Sequence, residues 1–398
     1  MEDPKERLTK SISDGEMENR WKSVRQMMRF YKIDVLVMQT SEEFFAGALR
    51  WLTDHSARHQ FPMTVIFPVD DDMTTITCGP DAPADQFPPE WSVRGVKSRL
   101  GACYVPTIQY TETLHAEIAC RVLGERKKAT IGLVELSLIA IPFYKYLVDH
   151  LHNVEFVDAT ERVHEIMVIK SAEEIDLIKA TAALQDRAIE HLRKTIKPGM
   201  RDFDVLAEAQ YSTVRDGSER QLIKVGSAPD GTPACTHVRH FQNRMIKEGD
   251  QVSVLIETNG PGGYYTETMK IFMIGRKPSQ ELQDAYGVST EIQRMNVDQL
   301  RPGADPRDLW DMTINFLRRK GYHTNYRLYA HGQGTNLVER PLIRYNETWK
   351  VKAGMNISVH PAAVTKTTWA SVCENWLIGK DGAGPCLHST QQGIIIIG

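Results

Sequence analysis

One figure occurs twice in the second half of this chain, and it constrains the fold more than any other feature. Ile196-Lys-Pro-Gly leads into the helical stretch DFDVLAEAQ, and Leu300-Arg-Pro-Gly leads into RDLWDMTINFL. Each copy carries an apolar residue, a basic residue, a Pro-Gly turn and a helix that opens a few residues later. Strand-like runs follow the first copy around Gln221–Ser227, Gln251–Glu257 and Gly263–Ile274, and the second around Leu328–Gly334, Met355–His360 and Val372–Ile378. A repeat of this kind predicts two similar αβ halves arranged about one site.

Upstream of the repeat the pattern changes. Met17, Trp21, Val24, Met27, Met28 and Tyr31 recur at helical spacing from Glu16, and the apolar run Ile33–Thr40 has strand length. Runs from Met63 and Met73 read as two strands joined by the acidic turn Asp70-Asp71-Asp72. A helix over Thr113–Gly124, a strand over Thr130–Glu135 and a helix over Ile141–Leu151 complete an α/β pattern. Ser171-Ala-Glu-Glu174 then has the form of a capping box opening a long helix towards Thr195. The boundary between domains is therefore expected at residues 1–168 and 169–398.

Charge narrows the partners. The chain has 48 Lys+Arg against 51 Asp+Glu, a formal net charge of −3, and no dense basic block. It lacks the electrostatic footprint of a nucleic-acid binder. Its start, MEDPKERLTK, has no apolar core of a signal peptide, and no apolar stretch of membrane-spanning length, about 18 residues, follows. Cys78, Cys103, Cys120, Cys235, Cys373 and Cys386 are scattered, without a Cys-x-x-Cys ladder, and read as reduced thiols. These features together predict a cytoplasmic protein that meets neither nucleic acid nor membrane.

Four segments of the second half place an acid or a histidine in a strand or at a strand end: GGYYTETMKIF, YAHGQGTNL, GMNISVHPA and SVCENWLIG. Their candidate functional residues are Glu267, His331, His360 and Glu374. Imidazole and carboxylate together suit Zn²⁺, Mn²⁺, Fe²⁺ or Co²⁺, and equally suit metal-free acid–base catalysis. The run Gly260-Pro-Gly-Gly263 precedes a strand and reads as a turn, since a phosphate cradle needs a helix N-terminus.

The order Gly249-Asp250, Gly263-Tyr264-Tyr265, Glu267, His331-Gly-Gln-Gly, Gly354-Met355, Pro361 and Glu374, preceded by Lys170-Ser-Ala-Glu-Glu, resembles the pita-bread superfamily of methionine aminopeptidases, aminopeptidase P, prolidase and creatinase. The resemblance implies an α/β N-terminal domain followed by an α+β pita-bread catalytic domain with an internal pseudo-twofold repeat. In length and layout the chain looks most like creatinase and aminopeptidase P. The superfamily's peptidases hold two metal ions with Asp, Asp, His, Glu and Glu. On that pattern the second Asp falls on Glu267, the His on His331, the first Glu on His360 and the last Glu on Glu374.

The first Asp falls on Leu255 or Ile256, both apolar, and Glu257 beside them is expected on the opposite strand face unless a bulge re-aims it. The additional histidine is Val338, and the usual Arg-Thr pair is Lys270-Ile271. The set has lost carboxylates that a dinuclear centre requires. It leaves one ion on Glu267, His331, His360 and Glu374, or none, as in creatinase; the metal-free form is the favoured expectation.

The likeness to creatinase further implies a catalytic histidine at His237, with His240 as the fallback, while creatinase's assisting carboxylate falls on Met269. Substrate contacts are expected from Arg58, His59, Phe61, Tyr264, His240 and Arg340, with the first domain of a homodimer partner overhanging the site. The activity this likeness implies is hydrolysis of a C–N bond in a small-molecule substrate, an amide, amidine or ureido-type metabolite, by acid–base catalysis. The alternatives are a metal-dependent Xaa-Pro-type aminopeptidase, a lyase of a small sulfonium compound, and a non-catalytic binding protein on a peptidase fold.

Overall fold

The computed structural model describes residues 12–55, 61–80, 93–124, 128–236, 243–324 and 328–398. The chain forms two compact units, Met1–Met167 and Val168–Gly398.

The first unit runs α1 (Asp14–Tyr31), β1 (Val35–Thr40), α2 (Gly47–Thr53), β2 (Met63–Pro68), β3 (Met73–Thr77), β4 (Val96–Gly101), α3 (Leu114–Gly124), β5 (Ala129–Leu133), α4 (Ile141–His150), β6 (Val154–Asp158) and α5 (Thr160–Met167). Helix α1 begins two residues before the apolar pattern, because Ser13 caps it by accepting the Glu16 N–H at 3.1 Å. The strands form one sheet in the order β4-β3-β2-β1-β5-β6. Strand β1 is buried on both faces, which explains its unbroken apolar run. Leu36 and Met38 pack with Val24 and Met28 of α1, whereas Val35 and Val37 pack on the other side with Ala116 and Phe143 of α3 and α4.

The second unit opens with α6 (Ala172–Thr195), where the capping box forms as the sequence predicts. Ser171 Oγ accepts the Glu174 N–H at 3.2 Å, and the Glu174 carboxylate accepts the Ser171 N–H at 2.8 Å. There follow α7 (Asp202–Arg215), β7 (Gln221–Pro229), β8 (Asp250–Asn259), β9 (Tyr265–Ile274), α8 (Gln280–Gln299), α9 (Pro306–Arg319), β10 (Ala330–Gly332), β11 (Glu339–Leu342), β12 (Asn356–Val359), β13 (Ala362–Val364), β14 (Trp369–Ser371), β15 (Glu374–Ile378), β16 (Ala383–Cys386) and β17 (Ile395–Ile397).

The repeated figure has a common backbone cause. Gly199 and Gly303 take φ of 92° and 88°, a region open to glycine, and α7 and α9 each begin at the third residue beyond. Each helix pair backs its own sheet: α6 and α7 cover the β17-β9-β8-β7 sheet, and α8 and α9 cover the β11-β10-β12-β15-β16 sheet. The Met269 N–H donates to the Cys373 carbonyl at 3.1 Å and ties the two sheets together. The Gly260–Gly263 run is a turn before β9, with Gly262 and Gly263 both at positive φ. Among the described residues no helix is long and apolar enough to cross a membrane.

Strand alternation decides which side chains of β8 meet the site. Val252, Val254 and Ile256 face the helices and join their core. Leu255 and Glu257 therefore face the other way, where Leu255 packs with Met269, Trp369 and Cys373.

Candidate active site

Glu267, His331 and His360 converge. Strand β9 supplies Glu267, β10 supplies His331, and His360 follows the end of β12, which pairs with β10 so that His331 lies opposite Ser358. One donor atom from each of the three side chains lies within 4.8 Å of the others, and all three residues are buried. His331 Nε2 is 3.8 Å from Glu267 Oε2, and the two imidazole rings are 5.0 Å apart between centroids.

The site holds these groups in defined states. His331 Nδ1 lies 2.8 Å from the Gly332 carbonyl, which can only accept, so Nδ1 carries a proton and Nε2 is the atom turned towards Glu267. Glu267 Oε2 accepts from Ser358 Oγ at 2.9 Å, and its backbone N–H donates to Asn375 Oδ1 at 2.8 Å. Asn375 in turn donates to Gln333 Oε1 at 2.8 Å and to Asn356 Oδ1 at 3.2 Å. Every member of this amide network is buried, which fixes the floor of the site.

Glu257 belongs to the same wall. It pairs directly with Glu267 across β8 and β9, is only 6% exposed, and accepts from Gln333 Nε2 at 2.8 Å. Burial first, and then the charge of Glu267, pushes the Glu257 carboxyl well above the usual carboxylate range. The expectation that it faces away is thus corrected. Glu257 lies two residues from Leu255, so the two share a face with no bulge; only a count placing the missing acid on Ile256 turns it away.

The opposite correction applies to Glu374, which the structure does not bring into the centre. Its Oε1 binds Lys270 Nζ at 2.7 Å and its Oε2 binds Gln293 Nε2 at 2.7 Å, all three side chains being buried. The site-facing residue is its neighbour Cys373, whose Sγ is 3.2 Å from Ser358 Oγ. Burial, reinforced by Glu267, holds this thiol well above its ordinary range and therefore protonated.

The expected substrate contacts separate in the same way. Tyr264 is buried, and its hydroxyl donates to Glu174 at 2.5 Å, which makes it a brace of α6. Arg340 is engaged by Glu347, with Nε at 3.1 Å from its carboxylate, and its guanidinium lies 4.5 Å from the Trp349 ring centroid. It is an internal tether, and neither residue is presented as a substrate contact. Phe61 is 43% exposed in the first unit. Arg58, His59, His237 and His240 lie outside the described residues.

The donor set discriminates between metal centres. Two imidazoles and one carboxylate suit a single divalent transition ion, so Glu267, His331 and His360 fit that group. A bridged pair of ions does not fit, because Leu255, Met269 and Cys373 form an apolar wall where further carboxylates would be required.

Two helix-backed sheets enclosing a buried Glu/His centre place the second unit in the pita-bread superfamily. Residues 176–385, more than half of the chain, match the model of Metallopeptidase family M24, and the chain belongs to that family of hydrolases. It is 26% identical over 281 residues to the "Probable dipeptidase PepE" of Mycobacterium bovis, covering 67% of this chain and 73% of that protein. It is 24% identical over 304 residues to the Xaa-Pro dipeptidase of Pyrococcus horikoshii, covering 73% and 85%. The solved Xaa-Pro dipeptidase from Bacillus anthracis shares the fold, with a TM-score of 0.75 at 18% identity over 96% of this chain and 100% of that one.

Proposed function

We propose that this protein hydrolyses the amide bond of a short Xaa-Pro-type peptide at the centre formed by Glu257, Glu267, His331 and His360, with one divalent ion. The observation that carries the proposal is the convergence of Glu267, His331 and His360 within 4.8 Å in a buried site. The curated relatives named as dipeptidases support the substrate class. The creatinase-like expectation thereby yields to the aminopeptidase alternative.

Glu267, His331 and His360 would hold the ion, as Zn²⁺, Mn²⁺, Fe²⁺ or Co²⁺. Bound there, such an ion polarises a carbonyl and acidifies water. The chain's own residues do the rest. Gln333 Nε2 donates to Glu257 Oε1 and orients the carboxyl, leaving Oε2 as the oxygen that can carry a transferable proton. An acid in this position can protonate the departing amide nitrogen. Ser358 and the Asn375 amide hold Glu267 in place.

One observation favours a second reading. Leu255, Met269 and Cys373 leave part of the wall apolar, which suits metal-free acid–base hydrolysis of a small amide, amidine or ureido compound, with His237 as base. Elemental analysis of protein purified without chelators, paired with assays on Xaa-Pro dipeptides and on small amides, separates the two. One ion and Xaa-Pro cleavage are expected. Metal-free protein that cleaves only small non-peptide amides would overturn the proposal in favour of the second reading.

A further inference from the structure

A pair of thiols lies in the first unit, whereas the residues of the proposed hydrolytic centre all belong to the second. Strands β3 and β4 are parallel neighbours with Thr77 opposite Gly101. The pairing continues beyond them, since the Ala102 N–H donates to the Thr77 carbonyl at 3.0 Å. Continuing the register puts Cys78 opposite Ala102 and Cys103 one residue further along, so the two cysteines are diagonal neighbours at the same end of adjoining strands. With strands about 4.8 Å apart and a rise of about 3.3 Å per residue, such a diagonal still falls within the Cα separation of about 4.4–6.8 Å that a disulfide spans. The Cys78 thiol donates a hydrogen bond to the Cys103 sulfur, and the Cys78 sulfur receives the Tyr104 N–H. Both are free thiols, Cys103 exposed and Cys78 partly so.

We propose that Cys78 and Cys103 are a site of reversible oxidative modification, closing to an intramolecular disulfide on reaction with a low-molecular-weight disulfide such as oxidised glutathione. Exposure makes Cys103 the attacking thiol and Cys78 the resolving one. Cys103 gives up its proton and attacks one sulfur of oxidised glutathione. The glutathione S–S bond breaks, a Cys103–glutathione disulfide forms, and the first glutathione leaves and takes up a proton. Cys78 then loses its proton and attacks the Cys103 sulfur, expelling the second glutathione, which is protonated in turn. Two protein thiols are oxidised and one glutathione disulfide is reduced to two thiols. The product staples β4, the half-exposed edge strand of the sheet, to β3.

The test treats the full chain with oxidised glutathione, blocks remaining thiols with N-ethylmaleimide and maps the digest by mass spectrometry. The expected product is one peptide pair joined through Cys78 and Cys103, lighter by two hydrogens, released by dithiothreitol and accompanied by a higher Tm. Cys78→Ser, which lacks the resolving thiol, should instead stop at a stable glutathione adduct on Cys103. Recovery of both thiols alkylated, a persistent Cys103 adduct in the wild-type chain, or Cys103 linking two chains would each overturn the proposal. The Tm of reduced Cys78→Ser checks that the variant is folded.

Discussion

Glu257 and Glu267 stand directly opposite each other in the antiparallel ladder of β8 and β9, each nearly withdrawn from water. Two carboxylates so placed cannot both ionise cheaply, and burial together with the Glu267 charge pushes the Glu257 carboxyl well above the usual carboxylate range. A raised acid beside the Glu267, His331 and His360 cluster is placed to hand a proton to a leaving group.

Glu257→Gln keeps the shape of the side chain and an oxygen for Gln333 to bond, but it removes the transferable proton. Cleavage of an Xaa-Pro dipeptide should fall by about 10²–10⁴-fold, the usual worth of a positioned acid or base. Tm should be unchanged or higher. Kinetics and thermal denaturation on the same preparation check this; full activity would remove Glu257 from the mechanism.

The Lys270–Glu374 pair is buried and serves the fold. Lys270→Met alone leaves Glu374 as a buried charge without its cation and should cost about 3–5 kcal/mol. Adding Glu374→Leu should recover most of that loss, because an apolar pair fills the space without desolvating a charge. Denaturant unfolding of the two variants measures it, and equal instability of both would contradict the assignment.

Gly334 lies where a Cβ would collide with the Glu339 carboxylate and the Lys170 ammonium. Those two form a buried ion pair at 2.6 Å beside the His331-Gly-Gln-Gly segment. Gly334→Ala should therefore destabilise by about 1–3 kcal/mol, as overpacking generally does. A wild-type Tm in the variant would show that the segment yields freely.

His115 and His388 predict acid sensitivity. Burial holds each imidazole down to about 4, against an ordinary 6.5. Below 6.5 the unfolded chain takes up protons that the folded chain refuses, so stability is complete above that value and declines as pH falls towards 4. Each histidine contributes on the order of 3 kcal/mol to the decline. Unfolding between pH 7 and pH 4 should show a shallower slope in His115→Gln than in the parent; parallel profiles would contradict the shift.

How much of this was legible depended on distance along the chain. The Ser171–Glu174 box and the two Pro-Gly turns are local chemistry, and they fold as their residues dictate. Glu267, His331 and His360 were found because each sits in a short motif. Glu257 and Glu374 were misplaced for one shared reason. A strand alternates faces at every residue, so an error of one position exchanges the site face for the core face. Counting to Leu255 and to Cys373 restores both, and the apolar contact that joins Leu255, Met269, Trp369 and Cys373 is what fixes that count. No local signal announces that Lys270 reaches Glu374, since their pairing spans 104 residues.

The most direct test of the account is the metal content of the full-length protein, purified without chelators and compared with His331→Ala and His360→Ala. The account predicts one divalent transition ion per chain, lost from both variants while their folded far-UV circular dichroism persists. Two ions per chain, or one ion retained in both variants, would contradict it.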